Sequence, residues 1–359
     1  MVDKYYNGKL FVCRKEKNIV DWKKVEYSRA QINKAGKIFA DENAAAEDIL
    51  QAEKIVDNWR GAHAFPLQVF YMHLKRMTNE DAIVAQRLKR LDSIIKKLKR
   101  YKDMSLLRMQ DLGGCRVIVP SVEQVYDVVE KYKESRIRHI YKNEHDYIKE
   151  PKLDGYRCYH LVYEYHSDKK AEYNKKLLIE IQVRTYLEHL WATAVETMGL
   201  FTNVALKAGG GDESTKRFFA LVSSLFAIEE GMPLVPETPD NPEAIILELQ
   251  DIQAKTNIID KLSGIKVAAN YLDGKTDLVD GYYILILNYN THLLKLKSFH
   301  RSNNIEAENV YAKIESTRAE TQIDAVMVSV SSFAALKSAY PNYFADIGEF
   351  VGKLKAYLE

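Results

Sequence analysis

The sequence has few cysteines and no apolar run long enough to cross a membrane. Its 359 residues include three cysteines, Cys13, Cys115 and Cys158, which lie far apart in the chain. Cysteines at such spacings form neither a disulfide framework nor a CxxC metal motif. The longest apolar run, YYILILNY, has the length of a strand, well below the roughly 20 residues of a membrane-spanning helix. The N-terminus also lacks the shape of a signal peptide. We therefore expect a cytoplasmic protein without a membrane segment.

The chain also has little net charge, at +2, but its charges are unevenly distributed. From Glu237 onward there are 12 Lys and Arg against 17 Asp and Glu, whereas the residues before Glu237 have 40 against 33. The basic region before Glu237 can bind a polyanion, and the acidic region from Glu237 onward can pack against that basic region. Ordinary scatter of charge explains the same counts, so composition alone leaves both interpretations open.

Proline is scarce except in one place, where four of the eight prolines fall within residues 232–242. This cluster predicts a boundary between two domains, residues 1–235, with a core of about residues 40–205, and residues 236–359. Alternating helical and strand-like segments predict an α+β fold for the first domain, with a mixed sheet flanked by helices. The second is predicted to be a small α+β domain containing a hairpin around Asn288.

A basic segment, NEDAIVAQRLKRLDSIIKKLKRYK, spans residues 79–102 and is predicted to form one helix. Helical spacing places Lys89, Ser93 and Lys97 on one face, with Arg87 close by. Such a column of cations suits a polyphosphate, although a solvated helix face has the same pattern.

Two later segments contain carboxylates beside predicted strands. In MQDLGGCRVIV, Asp111 precedes a Gly-Gly turn and can ligate Mg²⁺, while Arg116 can neutralise phosphate; a turn-capping Asp and a surface Arg have the same sequence pattern. In IEIQVRT, strand alternation places Glu180, Gln182 and Arg184 on one face, which indicates either a site or an exposed edge. Glu180 can share a metal with Asp111 or accept a proton from an attacking hydroxyl.

The segment KEPKLDGYRCYH, residues 149–160, combines an Asp-Gly turn with an aromatic ring and several cations. Tyr156 follows the turn and can stack on a base, although it is one of 23 tyrosines and can equally be a packed core residue. The nearby side chains that can bind phosphate or donate hydrogen bonds are Lys149, Lys152, Arg157 and His160.

In this order the motifs Arg87-x-Lys89, Ser93, Lys97-Leu98, DLGGCR, DGYRCYH and EIQVRT, with His189 in the next helix, resemble the synthetase domain of RelA/SpoT homologues. The resemblance covers about residues 40–205, and Asp154 and Cys158 depart from the usual Asn and Ser. The resemblance implies a nucleotidyltransferase-like fold. It also implies an enzyme that transfers pyrophosphate from ATP to a 3′-hydroxyl and releases AMP.

The resemblance also implies roles for individual residues. ATP would be bound by Arg87, Lys89, Ser93 and Lys97. The catalytic residues would be Asp111, Glu180 and Arg116, with Asp111 and Glu180 as Mg²⁺ ligands and Glu180 as the base. The acceptor would be bound by Tyr156, Lys149, Lys152, Arg157, His160, Gln182, Arg184 and His189.

Two acceptors fit this resemblance, a guanine nucleotide and the 3′ end of tRNA, and stacking on Tyr156 does not distinguish them. Lys207, Lys216 and Arg217 are candidate contacts for a tRNA backbone, or else belong to a solvated linker helix.

The C-terminal segment SAYPNYFADIGEF contains Tyr340 and Tyr343 in a YxxY arrangement. It resembles fused toxin–antitoxin members of the family, the CapRel type, in which a pseudo-zinc-finger-like antitoxin domain blocks the ATP adenine site. That resemblance implies activation when a phage structural protein, typically the major capsid protein, binds this domain. We expect the chain to be a monomer. Alternatively, the two tyrosines pack the core of their own domain, or the whole chain is a catalytically silent nucleotide-binding sensor.

Overall fold

A computed structural model describes the chain at residues 5–6, 9–10, 22–206, 213–264, 268–271, 281–288, 291, 293–316, 323–330, 333–344 and 347–359. The strands are β1 Tyr5–Tyr6, β2 Lys9–Leu10, β3 Ile83–Leu88, β4 Gly113–Val119, β5 Ile140–Asp146, β6 Tyr159–Glu164, β7 Leu178–Thr185, β8 Ala268–Tyr271, β9 Gly281–Asn288, β10 Leu293–His300 and β11 Ile323–Val330. The α-helices are α1 Arg29–Ala40, α2 Ala46–Gly61, α3 Ala64–Met77, α4 Leu91–Arg100, α5 Val122–Glu134, α6 Tyr186–Leu206, α7 Glu213–Glu229, α8 Pro242–Thr256, α9 Ile258–Gly264, α10 Asn304–Ser316, α11 Phe333–Ala339 and α12 Gly348–Leu358.

Within the described part of the chain, nine strands form one sheet in the order β5-β6-β7-β4-β3-β11-β9-β10-β8. The pairs β4–β7 and β8–β10 are parallel and the other pairs are antiparallel, so the sheet is mixed. The predicted α+β class, with a mixed sheet flanked by helices, is confirmed. None of the helices described combines the length and apolar character that a bilayer crossing requires.

The prediction of one helix over residues 79–102 is wrong. Residues Ile83–Leu88 form strand β3, which pairs with β4 from Ile83↔Ile118 to Leu88↔Gly113, and the helix begins only at Leu91. Pairing with β4 satisfies the backbone of β3 in an extended conformation, and the spacing of side chains in the segment does not show that partner. Arg87 and Lys89 therefore lie at the end of a strand, whereas Ser93 and Lys97 lie on α4.

The C-terminal strands extend the same sheet. The predicted hairpin around Asn288 is confirmed by the antiparallel pair β9–β10, and β11 joins β3 through Val328↔Arg87 and Ser329↔Gln86. The sheet thus crosses the predicted boundary at residue 235. The division into two domains, and the likeness of the second to a pseudo-zinc finger, remain predictions.

Both faces of strand β9 are buried. On β9, Ile284 and Ile286 pack into the main core with helices α1 to α3, α5 and α10, while Leu285 and Leu287 pack on the opposite face. That opposite face is covered by α11 and by Tyr340 and Tyr343, which are both fully buried. The packing therefore brings the YxxY segment onto the same face as the polar side chains of β4 and β7, described below.

A separate core joins the C-terminal helix to the helices that follow β7. Trp191 of α6, Phe219 of α7 and Leu249 of α8 pack in one cluster with Phe350 of α12. The ring centroids of Phe219 and Phe350 lie 6.2 Å apart, and Tyr156 is half-buried against the same cluster. This core supports the segment 149–160 from behind.

Candidate functional site

Strands β4 and β7 bring the polar side chains together. Their parallel register pairs Gly114 with Glu180 and Arg116 with Gln182. Side chains alternate along a strand, and the intervening residues, including Ile181, pack into the main core. The alternation predicted for β7 is confirmed, and Glu180 and Gln182 face the opposite side of the sheet from that core.

This polar face forms one wall of a cavity with a volume of about 40 Å³. The cavity is lined by Arg87, Lys89, Asp111, Gly114, Cys115, Arg116, Glu180, Gln182 and Tyr340. The structure thus gathers most of the predicted ATP-binding and catalytic residues around one space. Tyr340, which follows the last of them, Glu180, by 160 residues in the chain, lies in the same space.

Asp111 is held between two lysines. Its Oδ2 accepts a hydrogen bond from Lys89 Nζ at 2.7 Å, and its Oδ1 accepts one from Lys97 Nζ at 3.0 Å. Burial alone would raise the pKa of Asp111, but the two ammonium groups lower it below its usual value. Burial lowers the pKa of Lys89, against the pull of Asp111. The arrangement keeps a carboxylate and two cations close together.

Glu180 is the centre of a second polar chain. Its Oε1 lies 3.1 Å from His160 Nδ1, and its Oε2 accepts a hydrogen bond from Gln182 Nε2 at 2.7 Å. His160 Nε2 lies 2.8 Å from the Tyr156 hydroxyl. Burial opposes the charge on Glu180, but the contact with His160 lowers its pKa below the usual value. Glu180 is therefore ionised at neutral pH and can accept a proton.

The segment 149–160, which we call the acceptor loop after the role predicted for it from the sequence, presents cations to solvent. Lys149 Nζ lies 4.5 Å from the ring centroid of Tyr126, and Lys152 Nζ lies 4.3 Å from that of Tyr147 and 5.1 Å from that of Tyr156. Both lysines are exposed. The structure therefore places these two cations and the half-buried Tyr156 on the same loop.

Arg157 has a different environment from these lysines. It is buried, and it donates hydrogen bonds to Ser223 Oγ at 3.1 Å, to the Ile148 carbonyl at 2.9 Å and to the Pro233 carbonyl. Ser223 Oγ in turn donates to the Gly155 carbonyl at 2.7 Å. In this structure Arg157 ties the acceptor loop to α7, and its predicted contact with the acceptor remains a prediction.

Arg184 and His189 are also buried and join the C-terminal segment. His189 Nε2 lies 2.8 Å from the Ser338 carbonyl, so this nitrogen is the donor and Nδ1 accepts from Arg184 Nη2. Burial and the neighbouring Arg184 and Arg116 hold the pKa of His189 well below its usual value, which agrees with a neutral ring. Neither side chain lines the cavity around Glu180.

Tyr340 and Tyr343 contact arginines of the N-terminal part. The guanidinium of Arg116 lies over the Tyr340 ring, 5.6 Å from its centroid, and Arg116 Nη1 donates to the Ala339 carbonyl at 3.1 Å. Arg90 Nη1 donates to the Tyr343 hydroxyl at 3.0 Å. The YxxY segment thus occupies the arginine-lined end of the cavity.

Glu196 on α6 and Arg90 were not predicted from the sequence. Burial alone would raise the pKa of Glu196, but Arg116, Arg87, Arg184 and Arg90 lower it. Burial works against the charge on Arg87, whereas Glu196 raises its pKa. Glu196 follows His189 by two helical turns, and this spacing is a signal from which it could have been predicted.

The remaining predicted residues lie away from the cavity or are paired. Ser93 is half-buried on α4, one turn before Lys97. Lys207 lies outside the described residues. Lys216 Nζ donates a hydrogen bond to Glu213 at 2.8 Å. Arg217 donates two hydrogen bonds to the carboxylate of Glu248, at 2.6 and 2.9 Å. Arg217 is therefore engaged within the protein.

Known proteins resemble part of this chain. Residues 86–200 match the family described as a region found in RelA/SpoT proteins. Two curated relatives from Bacillus subtilis (strain 168) are both 35% identical: GTP pyrophosphokinase YjbM over 113 residues, 31% of this chain and 52% of the relative, and GTP pyrophosphokinase YwaC over 115 residues, 30% of this chain and 52% of the relative. The chain spans about half the length of the curated relatives that it matches.

Solved structures that are similar to part of this chain include small alarmone synthetase 1 from Bacillus subtilis bound to its product pppGpp. Its TM-score is 0.42 and its identity 22%, over 54% of this chain and 94% of that chain. A GTP pyrophosphokinase family protein from Streptococcus pneumoniae has a TM-score of 0.39, 25% identity, and coverage of 47% and 85%. The matched region contains the cationic residues Arg87 and Lys97 and the carboxylates Asp111 and Glu180. Residues 86–200 of this chain therefore resemble a region found in RelA/SpoT proteins.

Proposed function

We propose that this chain is a pyrophosphokinase that transfers pyrophosphate from ATP to the 3′-hydroxyl of the tRNA CCA end, and that its C-terminal part holds the ATP site closed. Blocked tRNA would stop translation as an anti-phage defence. The observation that carries the proposal is the position of Tyr340, whose ring lies against Arg116 in the cavity that also contains Arg87, Asp111 and Glu180.

The size of the cavity supports a closed state. Pockets that hold ligands of nucleotide size have volumes of about 300–1,000 Å³, whereas this cavity has about 40 Å³. An adenine ring between Arg87 and Arg116 would need the space that Tyr340 fills. ATP can therefore enter only after the YxxY segment moves.

The residues left around the cavity suit phosphoryl-type transfer, which depends mainly on positioning and charge neutralisation. Lys89 and Lys97 would turn from Asp111 to the ATP phosphates. The acceptor 3′-oxygen would form a bond to the β-phosphorus while the bond from that phosphorus to the α–β bridging oxygen breaks, and AMP leaves. Glu180, held by His160, would take the hydroxyl proton.

Two carboxylates fit a Mg²⁺ ion that arrives with ATP. Mg²⁺ is usually bound by one or two carboxylates together with waters and substrate phosphates, and Asp111 and Glu180 supply such a pair. Across the described residues, no group of three or more His, Cys, Asp or Glu is placed to hold a metal. In the closed state both oxygens of Asp111 are bonded by lysines. When bound, the ion would neutralise developing phosphate charge.

Activation would follow from a shift between closed and open states. A partner can shift that balance only by binding the open state better. The proposed partner is a phage structural protein, such as a major capsid protein, which would bind the C-terminal part of a monomeric chain. Such binding would withdraw Tyr340 and Tyr343 from Arg116 and Arg90.

A guanine nucleotide is the second candidate acceptor, and the names of the two curated relatives favour it. The chemistry at Glu180 would be the same, since both acceptors offer a 3′-hydroxyl and a base for Tyr156. The product would then be the alarmone (p)ppGpp, and an adenine nucleotide as the acceptor would give (p)ppApp.

The test uses γ-labelled ATP and the full chain carrying Tyr340→Ala. Truncation before residue 236 is unsuitable because it would uncover the edge of β3 that β11 pairs. Removing a fully buried aromatic side chain costs about 3–5 kcal/mol, and that loss falls on the closed state if Tyr340 leaves the cavity on opening. We expect label on tRNA with the variant and little with the unmodified chain.

Tyr283→Ala is the matched control, because Tyr283 is buried in the same C-terminal cluster but lies outside the cavity. Label on GDP or GTP in place of tRNA would identify an alarmone synthetase. A folded Tyr340→Ala protein that labels no acceptor would refute the proposal and favour a silent nucleotide sensor.

A further inference from the structure

A second cavity contains Glu180 but not Tyr340. Its volume is about 400 Å³, and it is lined by Lys97, Tyr101, Asp103, Met104, Arg108, Gln110 and Glu180. A volume of this size accepts a nucleotide-sized group. This cavity remains open while Tyr340 of the YxxY segment fills the first one.

The segment that forms this cavity is strongly basic. Residues 96–108 contain one acidic residue, Asp103, and six basic residues, Lys96, Lys97, Lys99, Arg100, Lys102 and Arg108. All of these basic residues except Lys97 are exposed. Lys99 lies 3.6 Å from the exposed Glu42, a pair of little strength in water. For Lys102 and Arg108, the described part of the chain shows no ion pair.

Tyr101 adds an aromatic surface to these cations. Its side chain is 49% exposed, and the Arg100 guanidinium lies 5.4 Å from its ring centroid. An exposed ring beside cations that follow a groove is the arrangement with which proteins bind single-stranded nucleic acid, since bases stack on the ring and phosphates meet the cations.

We propose that this groove, residues 97–110 together with Glu180, binds the single-stranded 3′ end of an RNA and leads its terminal hydroxyl to Glu180. Arg100 and Lys102 lie outside the lining of the cavity. A mononucleotide bound in the cavity would therefore offer no phosphate to these two cations. A polynucleotide places further phosphates along that surface. The inference rests on the proposed function, because it takes Glu180 as the point where the acceptor reacts.

The test measures binding without ATP, by fluorescence anisotropy of a short labelled single-stranded RNA ending in CCA and the full chain. Tyr101→Ala should weaken binding about 5- to 150-fold, the effect of losing one base stack. Arg108→Glu should weaken binding and also reduce its salt dependence, by about 0.7 in the log–log slope for each lost phosphate contact on a single strand.

Lys131→Glu is the matched control, because α5 packs on the opposite face of β4 and β7 through Val125 and Val129. All three changed side chains are exposed, so the variants should fold, which thermal melting checks. If Lys131→Glu weakens RNA binding as much as the groove variants do, the proposed RNA site is wrong. It is also wrong if RNA binding is unchanged in Tyr101→Ala and Arg108→Glu.

A parallel titration with GTP distinguishes a mononucleotide from RNA. Weaker GTP binding in the Arg108→Glu variant, together with unchanged RNA binding, would also overturn the proposal. Since no pyrophosphate is transferred in this assay, RNA bound through the groove but never labelled by the Tyr340→Ala protein would refute the proposed transfer and leave the binding site standing.

Discussion

Replacement of Ser223 by alanine should loosen the acceptor loop. The Ser223 hydroxyl joins the Gly155 carbonyl and the Arg157 guanidinium, at 2.7 and 3.1 Å. Gly155 has a φ of +92°, and a Cβ there would lie 2.9 Å from Trp191 and 3.0 Å from Ser223. The loop therefore lies directly against α6 and α7, and its backbone conformation depends on this contact.

The loss can be worked out from the two hydrogen bonds. Each buried polar group left without a partner costs about 1–3 kcal/mol, and more when it is charged. Ser223→Ala leaves the Gly155 carbonyl and one N–H of Arg157 without these hydrogen-bond partners. The free energy of opening the loop should therefore fall by at least about 2 kcal/mol. This corresponds to opening that is about 30-fold more frequent.

Hydrogen exchange followed by mass spectrometry measures this opening directly. In Ser223→Ala, peptides covering residues 149–160 should exchange about 30-fold faster than in the unmodified protein. Ser224→Ala is the matched control, because the Ser224 hydroxyl bonds Val235 N at 3.0 Å and Thr238 Oγ1 at 2.8 Å, away from the loop. In a Tyr340→Ala background, the KM for the acceptor should rise while the KM for ATP stays unchanged.

Equal acceleration of acceptor-loop exchange in both serine variants would contradict this role of Ser223, because the effect would then come from general loss of stability in α7. Unchanged exchange in Ser223→Ala would contradict it as well.

Three further changes test other contacts. Tyr343→Phe removes the hydroxyl that accepts a hydrogen bond from Arg90 and should leave growth normal. Tyr343→Ala should stop the growth of bacteria that express it without any trigger. If both variants fold and both are harmless, blocking by this residue is contradicted. Burial raises the pKa of Glu308 from 4.5 to about 7. Its contribution to the free energy of unfolding is therefore complete below pH 4.5 and is lost as the pH rises through 7. In Glu308→Gln, the free energy of unfolding measured in urea should fall by about 3 kcal/mol less over this pH range than in the unmodified protein. Glu315→Gln weakens a buried pair with Arg60 at 2.5 Å and should lower the free energy of unfolding by up to about 3–5 kcal/mol, an expectation contradicted by an unchanged urea midpoint.

Several features could be predicted from the sequence because they depend on neighbouring residues. The alternation of Glu180 and Gln182 with Ile181 identified the polar face of β7, and the hairpin at Asn288 was readable from two apolar runs around a turn. The basic character of residues 79–102 was also evident, but its assignment to one helix failed. Strand β3 forms only because β4 and β11 complete its pairing, and both are distant in the chain.

Residue types and local spacing are enough to supply the paired carboxylates, the cations and the ring after an Asp-Gly turn, so the chemistry that this chain can offer is readable from its sequence. Which of these groups meet depends on the tertiary structure. It bonded Asp111 to two lysines, turned Arg157 inward onto α7 and placed Tyr340 beneath Arg116. Contacts between residues more than 200 positions apart, such as that of Arg116 with Tyr340, follow from how the sheet and helices pack, and no local periodicity records them.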